Sequence, residues 1–261
     1  MILVAEHLSI AFGGVHAVDD VSLAVAPGLV FSIIGPNGAG KTTLFNLISG
    51  LYLPEQGRVR LAGEDVTSLA PEDLARRGLS RTFQNLQIFF RMTALENVMV
   101  GRHRHETTGI FADLCHLPAV GRQNRRTREA AAAALERVGL AAAAERLAGS
   151  LSFGDLKRLE MARALASEPK LLLLDEPAAG CNPVETAEID AIIRQLTRDG
   201  ITVVLVEHDM RLVMNVSDRI HVLANGRTLA EGTAADVRAN PAVIAAYLGV
   251  RGARETARAL G

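Results

Sequence analysis

One run of eight residues carries the plainest chemistry in this sequence. Gly35-Pro36-Asn37-Gly38-Ala39-Gly40-Lys41-Thr42 fits the pattern G-x-x-x-x-G-K-[ST] in full, with Thr43 directly after it. Glycines in such a loop let backbone N–H groups curl around a phosphate with no Cβ in the way. A helix opening at its end aims the positive end of its dipole at the anion. Lys41 is then the cation for the β- and γ-phosphates, and the Thr42 hydroxyl is a ligand for Mg²⁺. The second constellation is Asp175-Glu176, at the end of Leu171-Leu172-Leu173-Leu174. Carboxylates at the C-terminal end of a buried parallel strand lie on the sheet edge that meets ligands. Asp175 suits a magnesium ligand, directly or through water, and Glu176 suits a base that takes a proton from an attacking water. The pair stands before Pro177 and would also serve as a plain helix cap, a reading that the upstream phosphate loop outweighs.

These residues need a scaffold, and the hydrophobic pattern supplies one. Leu3, Ala5, Leu8 and Ile10, then Val18, Val21, Leu23 and Val25, read as strands with one buried face. Leu29–Ile34 is a continuous apolar run, as in a strand buried on both faces, and a helix is predicted from Lys41 to Ser49. Gly57–Leu61 is a further short strand. Leu171–Leu174 and Ile201–Val206 are two more buried strands with a helix over Glu185–Leu196 between them, a parallel α/β unit. Asn225-Gly226 between Arg219–Leu223 and Arg227–Ala230 predicts a tight hairpin. Residues 86–167 are helical in propensity, with alanine tracts at 130–134 and 141–144. Gly101–Arg128 is read as a surface excursion between helices, and 251–261 as a charged, fraying tail.

Composition sets the limits. The chain has 261 residues, 49% apolar and 22% charged, with 28 basic and 29 acidic side chains and a net charge of −1. That is a globular protein, and it argues against a partner such as nucleic acid held by bulk positive charge. Cys115 and Cys181 cannot form a disulfide framework or a four-cysteine zinc site. Cys181 is read as a small buried hydrophobe, and His103, His105, Cys115 and His116 as solvated or structural residues. The apolar runs fall short of a membrane span and the N-terminus lacks a secretion signal, so the expected place is the cytoplasm.

Further pieces fall in a fixed order around the phosphate loop. Leu151-Ser152-Phe153-Gly154-Asp155 precedes a predicted helix and lies 20 residues before the Leu171 run. Gln84 stands in Arg81-Thr82-Phe83-Gln84, Gly180-Cys181-Asn182-Pro183 follows the carboxylate pair, and His208 stands in Glu207-His208-Asp209. Together they resemble the nucleotide-binding subunits of ABC transporters over residues 12–208. The resemblance implies a P-loop NTPase fold, α/β and RecA-like: a parallel-sheet core, an N-terminal antiparallel β subdomain and an inserted helical subdomain near 86–167, all in one domain over 1–250. It implies ATP and Mg²⁺ as cofactors. It makes Ser152 and Gly154 part of the signature, Gln84 the Q-loop residue that senses γ-phosphate and Mg²⁺, His208 the switch histidine, residues 180–183 the D-loop, and Phe12 the ring against adenine. Phe153 and Asp155 depart from the commoner glycine and glutamine, and the Asp155 charge would repel a phosphate.

In that family one copy cannot complete a site, because the signature of one subunit closes over the ATP held by the other. The implied partners are a second ATPase subunit, self or paralogue, transmembrane permeases and, indirectly, an external substrate-binding protein. The implied location is peripheral, on the cytoplasmic face of the cell membrane. Leu86, Ile88, Phe89 and Phe90 are read as packing of the helical subdomain or as a groove for a permease helix. Arg81-Thr82-Phe83-Gln84, the 101–128 excursion, Asp175–Gly180, Val237–Pro241 and Ala246–Gly249 resemble the ATPases of branched-chain amino-acid importers. Importers of urea, amides or aromatic acids and a lipid exporter are the alternatives. A soluble ABC ATPase of translation or DNA repair is disfavoured by the lone phosphate loop and the lack of sustained heptads. A small-molecule kinase has no use for the signature, Q-loop and switch histidine together.

Overall fold

The computed structural model describes residues 1–103 and 118–247. The chain forms two compact units, one of residues 1–77 and 193–261, the other of residues 78–192.

In the first unit, β1 (Leu3–Phe12) pairs antiparallel with β2 (Val15–Val25) and with β4 (Gln56–Leu61), and β5 (Glu64–Asp65) closes the order β2-β1-β4-β5. The inward set of β1 changes parity from Leu3 and Ala5 to Leu8 and Ile10, all buried. A register shift between Ala5 and Leu8, with His7 at φ 53, makes the change. The extra residue of this bulge keeps the apolar side chains on one face. The second sheet of this unit runs β10-β9-β3-β8. Its β3 (Val30–Ile34) is buried throughout and lies parallel to β8 (Thr202–Val206) and β9 (Arg219–Ala224). β9 and β10 (Arg227–Gly232) are antiparallel, and Asn225 and Gly226 both take positive φ at the turn, as a type I′ hairpin requires. Helix α1 (Lys41–Ile48) packs on β1, β2 and β8 and buries Leu44, Phe45, Leu47 and Ile48. α2 (Pro71–Arg76) follows β5.

In the second unit, β6 (Leu79–Arg81) runs parallel to β7 (Leu171–Asp175), all of which is buried. Three helices pack on one another: α3 (Ala94–Val100), α4 (Pro118–Arg137) and α5 (Phe153–Leu165). Helix α6 (Pro183–Arg198) begins after β7. Residues 118–128, expected as part of a surface excursion, belong to α4 instead. That stretch is polar on nearly every side, with Arg122, Arg125, Arg126 and Arg128 exposed and Thr127 buried, so no apolar period marks it. His105, Cys115 and His116 and the 251–261 tail lie outside the described residues. Among the described residues no helix is long and apolar enough to cross a membrane.

Candidate nucleotide site

The residues expected at the site divide between the two units. In the first, β3 ends at Ile34 and the chain turns through residues 35–40 into α1. No side chain caps α1, whose N-cap is Gly40 at φ 97. A Cβ on Gly40 would stand 2.2 Å from the Ala17 carbonyl oxygen, and one on Gly35 would stand 2.2 Å from that of Leu223. Gly38 faces open space. Glycine at 35 and 40 therefore lets the loop lie close on its own scaffold. The Lys41 ammonium folds back over the loop and donates to the carbonyls of Gly35 at 2.8 Å and Pro36 at 3.0 Å. Pro36, Asn37, Thr42 and Thr43 lie along the same turn, Asn37 and Thr42 exposed, while Ala39 is buried.

Phe12 closes β1 with its ring 49% exposed, set edge-on to Tyr52 at 5.5 Å between centroids. His208 follows β8. The buried Glu207 carboxylate accepts from the His208 and Asp209 N–H groups at 2.9 and 3.2 Å. Asp209 then caps helix α7 (Met210–Val216). The His208 side chain stays 60% exposed.

The second unit gathers Gln84, Asp175 and Glu176. Asp175 ends β7, where its N–H donates to the Thr82 hydroxyl at 3.2 Å and its carboxylate pairs with Arg81 at 2.9 Å. Burial pushes the Asp175 carboxyl above its ordinary value, against the pull of Arg81. Glu176 takes φ 47, a left-handed conformation that costs about 1–3 kcal/mol in a non-glycine residue and persists where its surroundings hold it. Those surroundings are visible. The Glu176 carbonyl accepts from Ala179 N–H at 3.1 Å and from Lys157 at 3.4 Å, and its carboxylate accepts from the Gln84 amide at 3.2 Å.

Ser152 is the N-cap of α5, its hydroxyl oxygen accepting from the Asp155 N–H at 3.1 Å. The hydroxyl proton remains to donate outward. Asp155 pairs with Arg158, which also meets Glu188 at 3.4 Å, so its charge is partly met within the helix. Phe153 is exposed, and Gly154 is buried against Glu185. Cys181 is half-exposed rather than buried: it sits in the turn after Gly180, which keeps it near the surface.

A family model described as ABC transporter matches residues 18–179. The chain belongs to the ABC transporter family. A second model, described as branched-chain amino acid ATP-binding cassette transporter, matches residues 227–253. The chain is 49% identical to the high-affinity branched-chain amino acid transport ATP-binding protein BraF of Pseudomonas aeruginosa, covering 95% of this chain and 98% of that one. It is 45% identical to LivG of Escherichia coli, of the same description, with the same coverage. A solved ATP-binding cassette of an ABC transporter in its ADP conformation superposes with a TM-score of 0.83 at 36% identity, covering 95% of this chain and 98% of that one. A cassette solved as a dimer bound to ADP and Pi gives a TM-score of 0.74 at 26% identity, covering 89% and 98%.

This ABC cassette is thus a nucleotide-binding ATPase. Four of its contacts have no signal in the motifs: the Arg81 partner of Asp175, the Lys157 bond to Glu176, the Tyr52 ring beside Phe12, and Tyr247. Burial pushes the Tyr247 phenol up to about 12, against the pull of the Gly35 N–H. Tyr247 also packs on the buried cluster of Ile34, Val213 and Val222. Each partner is distant in sequence from the residue it meets, and no local pattern pairs them.

Proposed function

We propose that this chain hydrolyses ATP to drive an importer of branched-chain amino acids, seated peripherally on the cytoplasmic face of the cell membrane. The observation that carries this reading is near-full-length likeness to BraF and LivG, joined to the separate match of residues 227–253. The glycine loop and α1 take the triphosphate, Lys41 neutralises its β- and γ-phosphates, and Phe12 stacks on the adenine. Thr42 would offer Mg²⁺ a hydroxyl and Asp175 a carboxylate, hard oxygen donors of the kind this ion takes beside phosphates and water. Bound there, it would neutralise phosphate charge. Gln84 senses the γ-phosphate and Mg²⁺, Glu176 takes the proton of the attacking water, and His208 holds the γ-phosphate and that water in line. Ser152, with the start of α5, serves the nucleotide of a second copy or a paralogue.

The permease side has its own support. Phe83, Phe89 and Phe90 are exposed. In the same unit a groove of about 310 Å³ is lined by Met92, Met99, Val100, Glu96 and His103. Such a face suits a short helix with an apolar stripe. Co-purification with permeases, followed by reconstitution with an external binding protein, tests the whole reading. Leucine, isoleucine or valine is expected to raise ATP hydrolysis in liposomes. Stimulation by urea, amides, aromatic acids or lipid instead would overturn the assignment of cargo.

A further inference from the structure

Helix α5 carries charged side chains at Lys157, Glu160 and Arg163, spaced to share one face. Lys157 and Glu160 are 4% and 3% exposed. Neither is a signature residue. The Glu160 carboxylate accepts from the Phe83 N–H at 3.3 Å. Arg163 donates to the Gln87 carbonyl. The segment from Phe83 to Gln87 is the loop that carries Gln84, so both of its ends meet one turn of α5. Beyond it, the buried Asn97 accepts from the Phe89 N–H at 2.8 Å and donates to its carbonyl at 3.0 Å.

A carboxylate buried this deeply is costly unless its oxygens are met. An apolar side chain would fill the place at less cost but would leave the Phe83 N–H without its acceptor. Glu160 is therefore retained for what it holds. Between the held ends, Gln84 and Asn85 are exposed, and Gln84 reaches Glu176.

We propose that Glu160 and Arg163 are positioning residues that tie both ends of the Gln84 loop to α5, so that a displacement of Gln84 moves Ser152 with it. The inference rests on the roles proposed above for Gln84 and Ser152. Glu160 touches neither nucleotide nor water. It acts through the backbone of Phe83, and Arg163 acts through that of Gln87.

Amide hydrogen exchange on the full-length chain reads the tie directly. In the wild-type chain the Phe83 amide is expected to exchange at least about tenfold more slowly than those of Gln84 and Asn85. Glu160→Ala removes that protection, and Glu160→Gln, which keeps an acceptor oxygen, restores most of it. ATP hydrolysis by the same proteins, at concentrations where two copies pair, gives the functional readout. Glu160→Ala is expected to lower kcat about tenfold with KM within about twofold, and Glu160→Gln to recover kcat. Uniform exchange across residues 83–85 of the wild-type chain overturns the proposal, even if Glu160→Ala fails to fold. So does a folded Glu160→Ala chain with full protection or unchanged kcat. Lys41→Ala separates the underlying reading: undiminished ATP affinity there refutes the nucleotide roles, while the exchange pattern still decides the tie.

Discussion

The carboxyl group of Glu185 lies against the Cα of Gly154, and a Cβ at 154 would stand 2.5 Å from it. The same side chain accepts from the Asn182 N–H at 2.9 Å, while Asn182 caps the first turn of α6 in return. Glycine in the signature is thus required by the close packing of two helix starts as well as by any approach of phosphate.

Gly154→Ala should push Glu185 off its bond to Asn182 and cost about 1–3 kcal/mol of stability. In a Glu185→Ala background the same change should cost less than about 0.5 kcal/mol. Thermal unfolding of the four proteins measures the coupling; additive losses would place the need for glycine elsewhere.

Glu176→Gln should leave ATP affinity within about twofold and lower turnover by roughly 10²–10⁴, the range of a lost general base. An amide also keeps an oxygen for the Gln84 donor. Steady-state hydrolysis beside equilibrium ATP binding checks this, and normal turnover would remove Glu176 from the role of base.

Gly40→Ala should destabilise the first unit by about 2–4 kcal/mol. The new methyl would meet the Ala17 carbonyl, a backbone atom that cannot swing aside, at φ 97. A melting temperature close to that of the wild-type chain would contradict the packing described for this loop.

Phe12→Ala should weaken ATP binding about tenfold with kcat little changed, since stacking acts on ground and transition states alike. Phe12→Tyr should bind as the wild-type chain does. Isothermal titration with ATP decides between them.

His221 is wholly buried, its Nδ1 3.0 Å from Glu231 and its Nε2 3.1 Å from the Thr228 hydroxyl. The hydrogen bond to His221, then that to Arg219, holds the Glu231 carboxyl below its ordinary 4.5. A depressed carboxylate contributes stability that is complete above pH 4.5 and lost as pH falls through its folded value. Glu231→Ala should cost about 1–3 kcal/mol at pH 7, mainly by stripping a buried imidazole of its partner, and less once the pH has fallen through the folded value of Glu231. Urea unfolding on both sides of that value tests the sign.

The phosphate loop and the buried strands were legible because glycine spacing and unbroken runs such as Leu171–Leu174 report their own surroundings. The bulge at His7 showed only as a skip in the apolar rhythm from Ala5 to Leu8. The first turns of α4 were hidden because arginines at 122, 125 and 126 carry no apolar period. Arg81 with Asp175, Glu160 with Phe83, and Tyr247 with Gly35 join residues far apart in the chain. Only folding brings such pairs together, and one sequence gives no sign of them. The Asp155 charge, expected to oppose a phosphate, meets Arg158 three residues on.

Lys41 already satisfies two carbonyl oxygens of its own turn. Any anion that recruits this ammonium must outbid them, so its affinity measures a difference between rival acceptors, not the full strength of one attraction. A weak competitor such as inorganic sulfate would gain little from the exchange. Discrimination by charge is thereby built into a short stretch of main chain, before any side chain from elsewhere takes part.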